Sequence, residues 1–185
     1  MNIELQTKRL VLKQYALEDL TNLNRLLSEP LIWEYSSKTA ITDIDAAKAQ
    51  LYDTLRKYEE DQCAFQALYQ KDTNQYIGEA GVLAFNKQCN RAVLGYNLLP
   101  AYWGRGYATE ITKALVRYLF ETIQVERIEA LAANNNIASK RVLENSGFIC
   151  EGLLRNFGFI HGTLADVSYY GMIKDDYFKL EDRPE

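Results

Sequence analysis

The sequence predicts one mixed α/β domain, on three observations. Aromatic and β-branched runs separated by short polar connectors fill the middle of the chain, a pattern of antiparallel strands. A glycine turn after Pro100 leads straight into a helical pattern. Strand and helix signals then alternate towards the C-terminus.

The elements follow in order. Arg9-Leu10-Val11-Leu12-Lys13 alternates as a half-buried strand does. Glu18–Ser28 places Leu20, Leu23, Leu26 and Leu27 on one helical stripe, and Pro30 closes it. Thr42-Asp43-Ile44-Asp45 reads as a helix start, followed by Ala47, Leu51, Leu55 and Tyr58 at spacings of three and four. Ala64–Tyr69, Tyr76–Phe85 and Arg91–Leu98 read as strands, with turns at Lys71–Asn74 and Asn86–Asn90. Thr109–Thr122 reads as a helix whose inner face carries Ile111, Leu115, Tyr118 and Leu119. Arg127–Ala133 is a strand, Asn136–Ser146 a helix ended by Gly147, and Phe148–Leu154 and Val167–Lys174 are the last strands. Asn156–Leu164 reads as a loop that holds His161 beside Gly162. With no linker or repeat, residues 1–185 form a single domain.

Composition narrows the function. The net charge of -4 and the lack of a basic stripe argue against a nucleic-acid partner. No signal peptide and no apolar run of membrane-spanning length is apparent, so a cytoplasmic location without a membrane partner is expected. Cys63, Cys89 and Cys150 are far apart and read as reduced, mostly buried thiols. With His161 as the single histidine and no clustered cysteines, no metal site is expected. No G-x-S-x-G elbow supports a serine hydrolase.

Chemistry concentrates at Trp103-Gly104-Arg105-Gly106-Tyr107-Ala108-Thr109, where a strand ends and a helix begins. The glycines permit conformations closed to other residues, and the first helical turn offers unpaired N–H groups at the positive end of the dipole. Such a turn suits a phosphate or diphosphate. A Rossmann fingerprint is disfavoured because Thr109 stands where a third glycine belongs, and no G-K-[ST] follows for a P-loop.

The turn resembles the acyl-CoA diphosphate loop of the GNAT N-acetyltransferase superfamily, Q/R-x-x-G-x-G/A, with Gly106 and Ala108 matching its later positions. Trp103 replaces the Gln or Arg, and Tyr-Trp-Gly-Arg-Gly-Tyr-Ala-Thr-Glu is similar to the version in the ribosomal-protein N-terminal acetyltransferase branch. Thr7–Lys13 with Glu18-Asp19, Asn136–Phe148 and Glu151–Arg155 resemble further segments of that branch. The resemblance implies a mixed, mostly antiparallel sheet of about seven strands flanked by about four helices. It also implies a splayed parallel pair formed by Arg91–Leu98 and Arg127–Ala133.

The same resemblance implies acetyl-CoA as cosubstrate, with its pantetheine arm lying in the splay. Leu98 is then expected to supply backbone groups to the arm. Gly104, Arg105, Gly106, Tyr107, Ala108 and Thr109 cradle the diphosphate, with Arg105 either adding charge or simply solvated. Asn136 sits where a helix N-cap belongs and is expected either only to cap or also to bond the arm. Ser139 matches the position often assigned to the acid that protonates the CoA thiolate. Direct transfer in a ternary complex is expected, with an oxyanion donor on the Arg91–Leu98 strand.

The base is less marked. Some branch members carry a carboxylate shortly after the E-G-x-L-R segment, whereas Asn156-Phe157-Gly158-Phe159 has none. Glu79, between Gly78 and Ala80-Gly81, is either a solvent-facing strand residue or a buried base with a raised pKa. Glu34 and Asp166 are weaker candidates, and Asp166 is expected rather to cap the final loop. Tyr35, Tyr58 and Phe157 are candidates to line the acceptor groove, built from Leu31–Thr39 and Asn156–Leu164. The acceptor is expected to be a protein N-terminal amine, such as that of a ribosomal protein, or else a small amine such as a polyamine, an amino acid or an antibiotic. A CoA-binding module without turnover is the third reading, and either a monomer or a homodimer is compatible.

Overall fold

A computed structural model describes residues 3–181, with side chains through Lys179. Eight strands form one sheet: β1 (Leu5–Gln6), β2 (Leu10–Lys13), β3 (Phe65–Gln70), β4 (Tyr76–Asn86), β5 (Arg91–Leu98), β6 (Arg127–Ala133), β7 (Ile149–Ile160) and β8 (Thr163–Ile173). Their order is β1-β2-β3-β4-β5-β6-β8-β7, and every neighbouring pair is antiparallel except β5 and β6. The helices are α1 (Leu20–Leu27), α2 (Ile44–Glu59), α3 (Tyr107–Arg117), α4 (Ile137–Asn145) and α5 (Lys174–Glu181).

Two apolar clusters lie on opposite faces of the sheet. Leu94, Leu98, Ile128 and Tyr170 of the strands pack with Ile111 and Leu115 of α3 and Leu143 of α4. On the other face, Ala67, Tyr69 and Tyr76 pack with Leu23, Leu26, Leu27, Ala47, Leu51 and Tyr58 of α1 and α2. Alternation along each strand sends successive side chains to the two clusters.

The parallel pair determines where a cleft can form. β5 and β6 pair only at Arg91–Arg127, Ala92–Ile128 and Val93–Glu129, and then diverge. Along β4 and β5, Leu99 donates its N–H to the Ile77 carbonyl at 2.9 Å, which makes that pair a hydrogen-bonded one. Leu98 opposite Gly78 and Tyr96 opposite Ala80 are therefore non-bonded pairs, and their own N–H and C=O groups point into the splay.

Several elements differ from the sequence reading. The short β1 and the C-terminal α5 join the expected set. Pro30 does not simply stop α1, which ends at Leu27. It opens a 3-10 turn, Pro30–Trp33, where its missing N–H has no cost. The helix expected from Thr109 starts at Tyr107 and gives way to a π turn over Tyr118–Ile123. The expected loop Asn156–Leu164 is the distal half of the β7–β8 hairpin, turning at His161 (φ 47) and Gly162 (φ 80). Two successive positive φ values fit the twist of a tight hairpin. Asp166 accordingly lies within β8, where its Oδ1 accepts the Asn156 N–H at 2.9 Å across a bulge. The cysteines are not mostly buried: Cys89 and Cys150 are exposed, Cys63 is half-buried, and all are free. Tyr58 belongs to the core, its hydroxyl donating to the Phe65 carbonyl, so it does not line a groove.

Candidate functional site: the splay between β5 and β6

The turn that enters α3 has the backbone its glycines forecast. Gly104 (φ 69) and Gly106 (φ 77) both lie in the left-handed region, and Gly106 is the N-cap of α3. The first helical bond runs from the Glu110 N–H to the Gly106 carbonyl, at 3.0 Å. The N–H groups of Tyr107, Ala108 and Thr109 precede it and have no partner within the helix. They stand beside a cavity of about 450 Å³ walled by Gly104, Gly106, Tyr107, Ala108 and Thr109 on one side and Asn136, Ser139 and Val142 on the other. Tyr96, Asn97 and Leu98 form its floor, and Tyr35 and Trp103 border it. Arg105 is exposed and sits over the Tyr102 ring, 5.7 Å from its centroid, outside the cavity wall.

Residues from β5 and α4 meet across the cleft. Asn136 caps α4, its Oδ1 accepting the Ser139 N–H at 3.0 Å. The Ser139 hydroxyl lies 3.0 Å from the Tyr96 hydroxyl. Burial pushes the Tyr96 phenol up to about 12, so it holds its proton at neutral pH. Sequence reasoning passed over Tyr96, although it shares a strand face with Leu94 and Leu98 and so points at α4. It also passed over Trp103 as a bonding group. The Trp103 indole N–H donates to the Leu98 carbonyl at 2.6 Å, so that carbonyl is already engaged.

Glu79 is neither solvent-facing nor on the cavity wall. It is 2% exposed, on the face opposite Leu98. Its Oε1 accepts from Asn97 Nδ2 at 2.8 Å and its Oε2 from the Tyr15 hydroxyl at 3.0 Å. Tyr15 in turn lies 2.6 Å from the Tyr76 hydroxyl. Desolvation raises the Glu79 pKa, against the pull of the Asn97 and Tyr15 bonds. Asn97 thus stands between Glu79 and the cleft, held by one and lining the other.

Beyond Tyr35 a second cavity of about 630 Å³ opens between the segment after α1 and the β7–β8 hairpin. Glu34, Asn134, Asn135, His161 and Asp166 line it, and His161 Nε2 lies 2.9 Å from the Glu34 carbonyl oxygen. Phe157 is exposed on β7 and lies outside this wall.

Residues 9–149 match the family model described as an acetyltransferase (GNAT) domain. The chain belongs to the GNAT acetyltransferase family. It is 32% identical over 173 residues to the uncharacterized N-acetyltransferase p20 of Bacillus licheniformis, covering 94% of this chain and 97% of that protein. The fold is shared with the ribosomal-protein-S5-alanine acetyltransferase of Vibrio fischeri (TM-score 0.82, 17% identity, 95% and 99% of the two chains). It is shared equally with the spermidine N-acetyltransferase of Vibrio cholerae in complex with CoA and spermine (TM-score 0.81, 20% identity, 93% and 99%).

As a GNAT acetyltransferase the protein uses acetyl-CoA as its cosubstrate, and the cleft fits that molecule chemically. The divergence of β5 from β6 leaves backbone donors and acceptors for an amide-bearing arm. The α3 N-terminus supplies donors and a positive dipole end for a diphosphate.

Proposed function

We propose that the protein transfers the acetyl group directly from acetyl-CoA to a primary amine, within a complex of all three, and that the amine is a protein N-terminus. The observation that carries the transfer chemistry is the Tyr96–Ser139 hydroxyl pair, 3.0 Å apart inside the cleft. The amine nitrogen attacks the thioester carbonyl, and the electron pair of the C=O moves to oxygen. The Tyr96 N–H, aimed into the splay, is the oxyanion donor of this reading. On collapse the C–S bond breaks and Ser139 gives its proton to the thiolate while the Tyr96 hydroxyl hydrogen-bonds the serine oxygen, and solvent returns a proton to Ser139 once CoA has left. The amine loses one proton and CoA gains one, so the products are an amide and free CoA.

Gly104, Gly106, Tyr107, Ala108 and Thr109 hold the diphosphate in this reading, with the Leu98 N–H and Asn136 on the arm. Arg105 contributes its backbone to the cradle, since its side chain is turned over Tyr102. Glu79 acts through Asn97 in this reading: it orients the amide towards the acceptor, and the amine's proton reaches it through a water beside Asn97. The amine enters in this reading through the cavity lined by His161 and by Glu34 and Asp166, two residues whose carboxylates suit a cation.

The same acidic entrance supports a second reading, a polyamine acceptor, in keeping with the spermidine acetyltransferase that shares the fold. CoA release from acetyl-CoA, followed with a panel of N-terminal peptides, spermidine and amino acids, separates the two. A protein acceptor predicts turnover with peptides bearing a free α-amine and none once that amine is blocked. Turnover with spermidine alone rejects it. In the same assay Ser139→Ala is expected to lower kcat by about 100-fold with acetyl-CoA affinity nearly unchanged. A variant as fast as the native protein removes Ser139 from the reaction.

A further inference from the structure

The turn at Gly104–Gly106 is not held by packing. A Cβ added at Gly104 would meet nothing within 4 Å, and both glycines are exposed. Its N–H groups must nonetheless face the cleft if they are to receive a diphosphate. The turn is instead held from a distant part of the chain, at the N-terminal edge of β2.

Arg9 Nη1 donates to the Arg105 carbonyl at 3.0 Å. The Arg105 carbonyl and the Gly106 N–H belong to one planar trans peptide and point in opposite directions. Drawing the carbonyl towards Arg9 therefore aims the Gly106 N–H away from Arg9, on the side where Gly106 walls the cavity. The guanidinium also lies over the Tyr107 ring, 4.5 Å from its centroid, at the first residue of α3.

Arg9 is itself fixed. Its Nε donates to Glu110 Oε2 at 2.6 Å, and its backbone N–H donates to Glu110 Oε1 at 2.9 Å. The Thr7 hydroxyl donates to the same Oε1 at 2.6 Å. Glu110 thus ties β2 to the first turn of α3, and Arg9 reaches from that knot to the glycine turn. The Arg9 side chain is 42% exposed, so the ion pair by itself adds little stability. Its use lies in geometry.

We propose that Arg9 is a positioning residue for acetyl-CoA binding, setting the Arg105–Gly106 peptide in the orientation that offers the Gly106 N–H to the diphosphate. The inference rests on the reading of this turn as the diphosphate cradle. Lysine is no substitute, because one ammonium cannot stack on Tyr107 and fork between Glu110 and the Arg105 carbonyl.

Calorimetric titration with acetyl-CoA tests it on the native protein, Arg9→Gln, Arg9→Lys, Glu110→Gln and, as a charge control, Lys113→Gln. Lys113 shares the groove between β2 and α3 but makes no bond to the turn. Positioning predicts about tenfold weaker binding for both Arg9 variants and a Lys113→Gln value within twofold of native. Glu110→Gln carries the decisive sign. It removes a negative charge beside an anionic ligand, so simple electrostatics predicts tighter binding, whereas loss of the Arg9 anchor predicts weaker binding. S-acetylpantetheine, which has the arm but no diphosphate, is expected to bind all the variants as it binds the native protein. A melting temperature measured alongside shows which variants fold, and Arg9→Lys and Glu110→Gln carry the test if Arg9→Gln does not. Native affinity in Arg9→Lys, or tighter binding by Glu110→Gln, overturns the proposal and leaves the cofactor reading intact. A native protein that does not bind acetyl-CoA overturns the cradle reading itself.

Discussion

At the scale of single residues, the chemistry is governed by what burial does to polar groups. Glu79 is sealed among Tyr15, Tyr76 and Asn97, and desolvation raises its pKa above the unfolded value near 4.5. The unfolded chain then releases this proton first as pH rises. The stability this group contributes is complete below about pH 4.5, falls as pH rises towards its folded pKa, and levels off above it. Glu79→Gln removes the titration, so its stability relative to native should increase from pH 4 to pH 7 in urea denaturation. A difference that stays flat or declines contradicts the assignment. The glycine turn before α3 and the Asn136 cap of α4 were legible in the sequence because both rest on local spacing, whereas Ser139 was singled out only by the family resemblance. Tyr96, Asn97 and Arg9 were not, since each acts on a partner far away in the chain. The link from Arg9 to Glu110 spans 101 positions.

At the scale of elements, β4 and β5 carry the site. Gly78 (φ 152) sits opposite Leu98, and a Cβ there would run into the Asn97 carbonyl and lie 2.8 Å from the Leu98 Cα. Gly78 is therefore what lets β5 approach closely enough to present Asn97 and Leu98. Gly78→Ala is expected to cost more than about 2 kcal/mol in urea denaturation. It should also weaken acetyl-CoA binding by shifting Leu98. A cost below about 0.5 kcal/mol contradicts this packing account. Element types were readable wherever an apolar face or run is buried, as in β4, β5, β6 and α3. The β7–β8 hairpin was cut short because much of β7 is exposed, and exposed strands leave no alternation to read. The helix after β8 left no clear apolar period either, and the π turn read as a continuation of α3 because Tyr118 and Leu119 extend its stripe.

At the scale of the molecule, two helical layers cover the sheet unequally. The cluster with α3 and α4 runs from β2 to β8, whereas α1 and α2 cover only the β2–β4 side, so Leu131 and Ile173 remain exposed. Sheet topology places the divergence of the single parallel pair at the centre, and the α3 N-terminus stands at its mouth. The general plan was legible from the order of motifs; the eighth strand and fifth helix were not, being short or polar. Tyr35 borders both the cleft and the acidic cavity, so in the proposed function the two substrates enter from separate sides and meet at Tyr35. The most direct test of this arrangement is a crystal structure of the protein with acetyl-CoA. The diphosphate should lie on the N–H groups of residues 104–109, the arm along Leu98 between β5 and β6, and the thioester sulfur within hydrogen-bond reach of the Ser139 hydroxyl. An arm bound outside the splay, or a sulfur remote from Ser139 and Tyr96, would contradict it.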